Sequence, residues 1–203
     1  MKKLLKALAL MLAIGMALTG CGGKLRYPTY YTLNLPAPPD PPAQGSVRSS
    51  IAVRELQAPG YLKQGPIVYR TRPEEIGFYE YHRWAEDPRA LVTGAVIDYL
   101  RASGQYSLVS MYNGRPDNDY IFSGKLEKLE EVDYESGVKV EVAISAQITG
   151  VKTGATVWSN AVSEVGTVSQ RNVPGVVSQM NRTMEIAINK LLSTVPAPLA
   201  SER

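Results

Sequence analysis

Two periodicities alternate along the chain and divide it into strands and helices. The clearest is the run in which Val138, Val140, Val142, Ile144, Ala146 and Ile148 alternate with Lys139, Glu141, Ala143, Ser145 and Gln147. A period of two sustained that long predicts an antiparallel strand with one buried face. Tyr120 to Tyr134 and Thr156 to Val168 are its neighbours in a meander, joined through the turns Glu135-Ser136-Gly137 and Lys152-Thr153-Gly154. In the first of these strands the apolar phase slips between Leu126 and Leu129, which predicts a bulge. Upstream, Ile51 to Leu56 reads as a short strand closed by Ala58-Pro59-Gly60. Ile67 to Thr71 and Ile76 to Trp84 read as a hairpin about Arg72-Pro73-Glu74-Glu75. Tyr106 to Val109 is a further short strand, and Asn113 to Asn118 a loop.

The period changes to that of a helix twice. Asp87-Pro88 is a helix start, with a carboxylate to cap free N–H groups and a proline where no donor is needed. Leu91, Val92, Ala95, Val96, Tyr99 and Leu100 then share a face, and Gly104 stands where a left-handed terminating residue belongs. The second helix follows Pro174, with Val176, Val177, Met180, Met184, Ala187, Ile188, Leu191 and Leu192 on one stripe; at this spacing the two methionines read as core. The fold class is therefore α+β, a mainly antiparallel sheet with two amphipathic helices packed on one face.

The ends of the chain follow a different grammar. Met1 to Lys6 is basic, Ala7 to Leu18 is apolar, and Leu18-Thr19-Gly20-Cys21 follows at once. A helix of that apolar length spans about 18 Å, short of a ~30 Å hydrocarbon core, so residues 1–20 read as a secretory signal rather than a membrane span. The last four of these residues resemble a bacterial lipobox. That resemblance implies thioether linkage of Cys21 to diacylglycerol, cleavage before it, and acylation of the new amine. By the sorting rule for such lipoproteins, Gly22 implies the periplasmic face of the outer membrane. Residues 21–29 form the lipid-anchored tether, and the eight residues after Cys21 reach at most ~29 Å. Residues 30–194 form the domain, entered by the strand signal Tyr30 to Leu35. They include a proline-rich loop at 36–50, read as a stiff connector rather than a docking ligand. Residues 195–203 are a tail.

Composition narrows the chemistry. One cysteine and one histidine cannot build a disulfide framework, a Ser-His-Asp or Cys-His centre, or a multi-histidine zinc site. Without the three lysines of the first twenty residues, the 22 basic side chains fall to 19, equal to the 19 acidic ones. A neutral body argues against nucleic acid as the partner. No glycine-rich phosphate cradle is present, and neither a cofactor nor a metal is expected. His82 reads as a structural or surface histidine. Glu127, Glu130, Glu131, Asp133 and Glu135 match no calcium-loop spacing and read as a solvated strand face. More telling is the aromatic density from Tyr61 to Trp84. Tyr61, Tyr69, Arg70, Arg83 and Trp84 have the composition of an interface centre, so this hairpin is a candidate partner-docking edge. The competing reading makes Trp84 a core plug and pairs Arg83 with Glu86 or Asp87.

Pro59-Gly60-Tyr61-Leu62, Pro66-Ile67-Val68-Tyr69-Arg70 and His82-Arg83-Trp84-Ala85-Glu86 before a helix carry a family likeness. Together they resemble the ABC-type transport auxiliary lipoprotein family, in its paraquat-inducible, PqiC-like type. The resemblance runs from the lipobox through the second helix. It implies a non-enzymatic envelope lipoprotein serving a lipid-transport system in which an MCE-domain protein spans the periplasm. The lipoprotein would dock at the outer-membrane end of that conduit, in a homo-oligomeric ring. Two other roles stay open: an activator of a cell-wall synthase, which the short tether disfavours, and a periplasmic lipid carrier.

Overall fold

A computed structural model describes residues 26–36, 49–134 and 137–196. The signal segment, Cys21, most of the proline-rich loop, Glu135-Ser136 and the end of the tail lie outside the described residues. The order of elements is β1 (Thr29–Tyr31), β2 (Ser50–Val53), a single 3-10 turn (Gly60–Lys63), β3 (Pro66–Arg72), β4 (Glu75–Trp84), α1 (Pro88–Ala102), β5 (Leu108–Met111), β6 (Tyr120–Val132), β7 (Lys139–Gly150), β8 (Thr156–Thr167) and α2 (Val173–Leu192).

The meander is the frame. β6, β7 and β8 pair antiparallel along almost their whole lengths, and the register shifts between Leu126 and Lys128, where the slipped apolar phase predicts a bulge. The free edge of β6 is then shared. β2 pairs with Tyr120–Phe122, Gln57 bridges to Lys125, and β3 pairs with Glu130–Val132, all parallel. The chain from β2 to β3 thus runs alongside β6 and leaves it only for the 3-10 turn. β5 adds parallel to β2 at one end, while β4 adds antiparallel and β1 parallel at the other. The class is α+β as the periodicity predicts, with long antiparallel ladders and short parallel additions.

One face of this sheet is apolar because the strands alternate. Phe122, Leu126, Val140, Val142, Ile144 and Ile148 are fully or almost fully buried, and α2 covers them with Met180, Met184, Ile188 and Leu191. Burying each such side chain contributes about 1.5–3 kcal/mol. Both helices start on side-chain caps: Asp87 accepts from the Arg89 N–H and Asn172 from the Gly175 N–H. The buried face of α1 takes Val92, Val96 and Leu100 from the expected stripe and adds Thr93 and Ile97, while Leu91, Ala95 and Tyr99 at the stripe's other side are only partly buried. Thr93 turns inward because its hydroxyl donates to the Arg89 carbonyl (2.6 Å) and accepts from the Leu56 N–H (3.0 Å). Val195 is also buried, so the packed body continues past residue 194.

Candidate docking site

The hairpin β3–β4 and the 3-10 turn before it hold all five residues of the candidate edge. Tyr61 stands on the turn, Tyr69 and Arg70 on β3, and Arg83 and Trp84 at the end of β4. What organises them is a pair of glutamates that the sequence pattern assigns to solvent. Glu130 is 0% exposed and Glu131 5% exposed, so the reading of this acidic run as a solvated face is corrected at these two positions.

The reason lies in the bulge. Leu129 sits across from Val142 and Glu131 across from Val140, so Glu131 shares the face of those core residues. Glu130, one residue away, points to the opposite face. Arg70 Nε donates to Glu130 Oε1 at 2.6 Å, and Tyr61 donates through its hydroxyl to Glu130 Oε2 and the Glu127 carbonyl, both at 3.3 Å. The Arg70 guanidinium also bonds the Pro73 carbonyl in the hairpin turn (2.8 Å) and lies 6.0 Å from the centroid of the Tyr61 ring. On the other face Tyr79 donates to Glu131 Oε2 at 2.8 Å.

These contacts move the proton equilibria. The Glu130 hydrogen bond raises the pKa of Arg70, while burial, reinforced by the Glu130 charge, raises that of Tyr61. Burial raises the Glu131 carboxyl above the ordinary value; the Tyr79 hydrogen bond opposes this and nearby Asp133 adds to it. Burial and the hydrogen bond to Glu131 raise Tyr79 in turn. Glu127 behaves as the sequence suggests, half-exposed on the surface with Lys125 and Ser145 as partners.

The remaining candidates divide between surface and interior. The Tyr69 ring packs against Tyr79 with centroids 5.0 Å apart and covers Gly77 on the facing strand. Arg83 donates to the Gln64 carbonyl at 3.0 Å, not to Glu86 or Asp87, and so ties β4 to the end of the 3-10 turn. Trp84, 4% exposed, is a core side chain; its backbone N–H donates to Gly65 O at 2.7 Å. It supports the hairpin from beneath and offers almost no surface. His82 is structural in kind: its Nδ1 pairs with the Tyr31 hydroxyl at 3.0 Å and its ring meets Tyr79 edge-on. The partly exposed side chains left by this packing lie on two faces: Tyr61 and Arg70 on the Glu130 side, and Tyr69 with Tyr79 on the Glu131 side, while Arg83 stands at the end of β4. The paired glutamates are the buried contacts of this hairpin that the sequence pattern assigned to solvent. Two adjacent acids immediately after a phase slip were the available signal, because successive strand residues cannot both face water when one face is core.

Two depressions lie elsewhere. One of about 440 Å³ lies on the polar face of the meander, lined by Gln57, Ser123, Lys125, Gln147, Ser159 and Asn160 among others. Another of about 370 Å³ runs beside α1, between Leu33 and Leu35 on one side and Leu91 and Tyr99 on the other.

No curated protein sequence matches the chain. Among solved structures it is similar to protein XCC0632 from Xanthomonas campestris, with a TM-score of 0.70 and 18% identity over 81% of this chain and 92% of that one. It is also similar to an uncharacterized protein at a TM-score of 0.63 and 12% identity, covering 84% of this chain and 99% of that one. At such identities these likenesses concern the fold. The family model described as the ABC-type transport auxiliary lipoprotein component matches residues 31–190, from β1 to the last turns of α2, and the chain belongs to that family.

Proposed function

We propose that this protein is a non-enzymatic, lipid-anchored subunit that docks on an MCE-type periplasm-spanning lipid transport system from the periplasmic face of the outer membrane. The observation that carries the reading is the family match over residues 31–190. Support also comes from the candidate edge, where tyrosines and arginines are held on a hairpin pinned by a buried ion pair instead of being spent on a reaction centre. In this reading Tyr61 and Arg83 meet the partner, Arg70 holds the edge in shape through Glu130, Tyr69 braces the hairpin from its other face against Tyr79, and Trp84 supports it from the core. A ring of copies would present several such edges to one conduit.

A crosslinked pull-down of the membrane-anchored protein, with lipid assayed in the same eluate, tests this. Capture of an MCE-domain protein without stoichiometric lipid is the expected result. Capture of a cell-wall synthase, or of lipid with no protein, would replace the reading with that of an activator or a carrier. Cys21→Ser is expected to release the protein from the membrane fraction.

A further inference from the structure

The chain enters the fold through an aromatic, basic patch that neither the core nor the candidate docking edge uses. Tyr27 is 78% exposed and Tyr30 59%, the two most exposed aromatic side chains among the described residues. The Arg26 guanidinium lies over the Tyr81 ring, 4.8 Å from its centroid. β1 is an edge strand whose partner is β4, with Thr29 beside His82 and Tyr30 beside Arg83. Arg26, Tyr27 and Tyr30 therefore project from one border of the sheet, across from Tyr81.

Where this border can go is fixed by chain length. Arg26 follows Cys21 by five peptide units and Tyr30 by nine, so full extension allows at most ~18 Å and ~32 Å. If Cys21 carries acyl chains, the patch cannot leave the neighbourhood of the bilayer. From Gly22 to Pro39 the chain carries Lys24 and Arg26 and no acidic residue, which suits an anionic headgroup layer. Tyrosine has an apolar ring and a polar tip, the combination that favours the membrane–water boundary.

We infer that Arg26, Tyr27 and Tyr30, with Tyr81 packed under Arg26, rest in the phospholipid headgroup layer, so that the β1 border of the sheet faces the membrane. This rests on the lipid-anchored reading of Cys21. Acyl chains already suffice for anchoring, so the patch sets orientation rather than affinity. β8, five strands across the sheet, then stands about 24 Å further from the bilayer at ~4.8 Å per strand.

The test uses the full lipidated protein in vesicles of phosphatidylcholine and phosphatidylglycerol. An environment-sensitive thiol dye is placed by Tyr27→Cys, Tyr30→Cys or, as a reference on β8, Val165→Cys, each variant being checked for an unchanged thermal midpoint. Flotation of the vesicles reports anchoring independently of the dye. The expected result is co-flotation, with dyes at 27 and 30 quenched several-fold more strongly by headgroup-nitroxide lipid than the dye at 165. Co-flotation with equal, weak quenching at all three positions would overturn the patch and leave the anchor standing. Dyes at 27 and 30 that are shielded from aqueous iodide yet untouched by nitroxide lipid would assign the patch to a protein partner and overturn it likewise. Failure to float would remove the anchor and the patch together.

Discussion

At the scale of single residues, the decisive chemistry is the burial of two adjacent carboxylates on opposite faces of β6. Glu130 is paired with Arg70 at 2.6 Å, with the Arg70 side chain 15% exposed and that of Glu130 fully buried. Removing one partner of a buried pair leaves the other charge uncompensated, so Arg70→Ala is expected to cost about 3 kcal/mol of stability. Adding Glu130→Gln should recover much of that loss, and denaturant titration of both single variants and the double variant measures the coupling. Glu131 couples stability to pH. Its folded pKa lies above the ordinary carboxylate value of about 4.3, so between those two values the folded state holds the proton more tightly than the unfolded chain. Its contribution is therefore largest in acid and is lost as pH rises through that window. Glu131→Gln keeps an acceptor for Tyr79 and should flatten this part of the thermal-midpoint profile, leaving the variant at least as stable as the parent at neutral pH. A steeper profile in the variant would contradict the assignment.

At the scale of elements, the hairpin depends on a glycine under an aromatic ring. A Cβ on Gly77 would stand 2.2 Å from the Tyr69 ring, so Gly77→Ala must push the ring aside and is expected to cost about 1–3 kcal/mol. The same change in a Tyr69→Ala background should cost clearly less, a difference that chemical denaturation of the four proteins resolves. Trp84 belongs to this scale too. Trp84→Ala opens the core beneath the hairpin at about 3–5 kcal/mol, so weaker partner capture by that variant would report lost support for the edge. Tyr61→Ala and Arg83→Ala, at partly exposed positions, are the variants expected to weaken capture while the circular dichroism spectrum stays that of the parent. Unchanged capture by both would remove the hairpin from the docking surface.

At the scale of the molecule, the helices and the meander were legible because each carries its own period. Val138 to Ile148 alternates whatever lies beside it, Asp87-Pro88 starts a helix through bonds within one turn, and the stripe after Pro174 carries its own helical period. The bulge after Leu126 was legible for the same reason, as a break in a local pattern. Family membership was legible too, in short segments that form the 3-10 turn and the β3–β4 hairpin. Which strand lies beside which was not written in any window of sequence. β2 and β3 share one edge of β6 because Gln57 and the 3-10 turn carry the chain past its bulge, a contact between residues far apart in sequence. The burial of Glu130, Glu131 and Trp84 was likewise decided only by tertiary structure. Side-chain character states what a residue prefers, whereas the neighbours brought by β3, β4 and the 3-10 turn state what it receives. A glutamate next to arginine and tyrosine can be interior, and an interface-like tryptophan can be core.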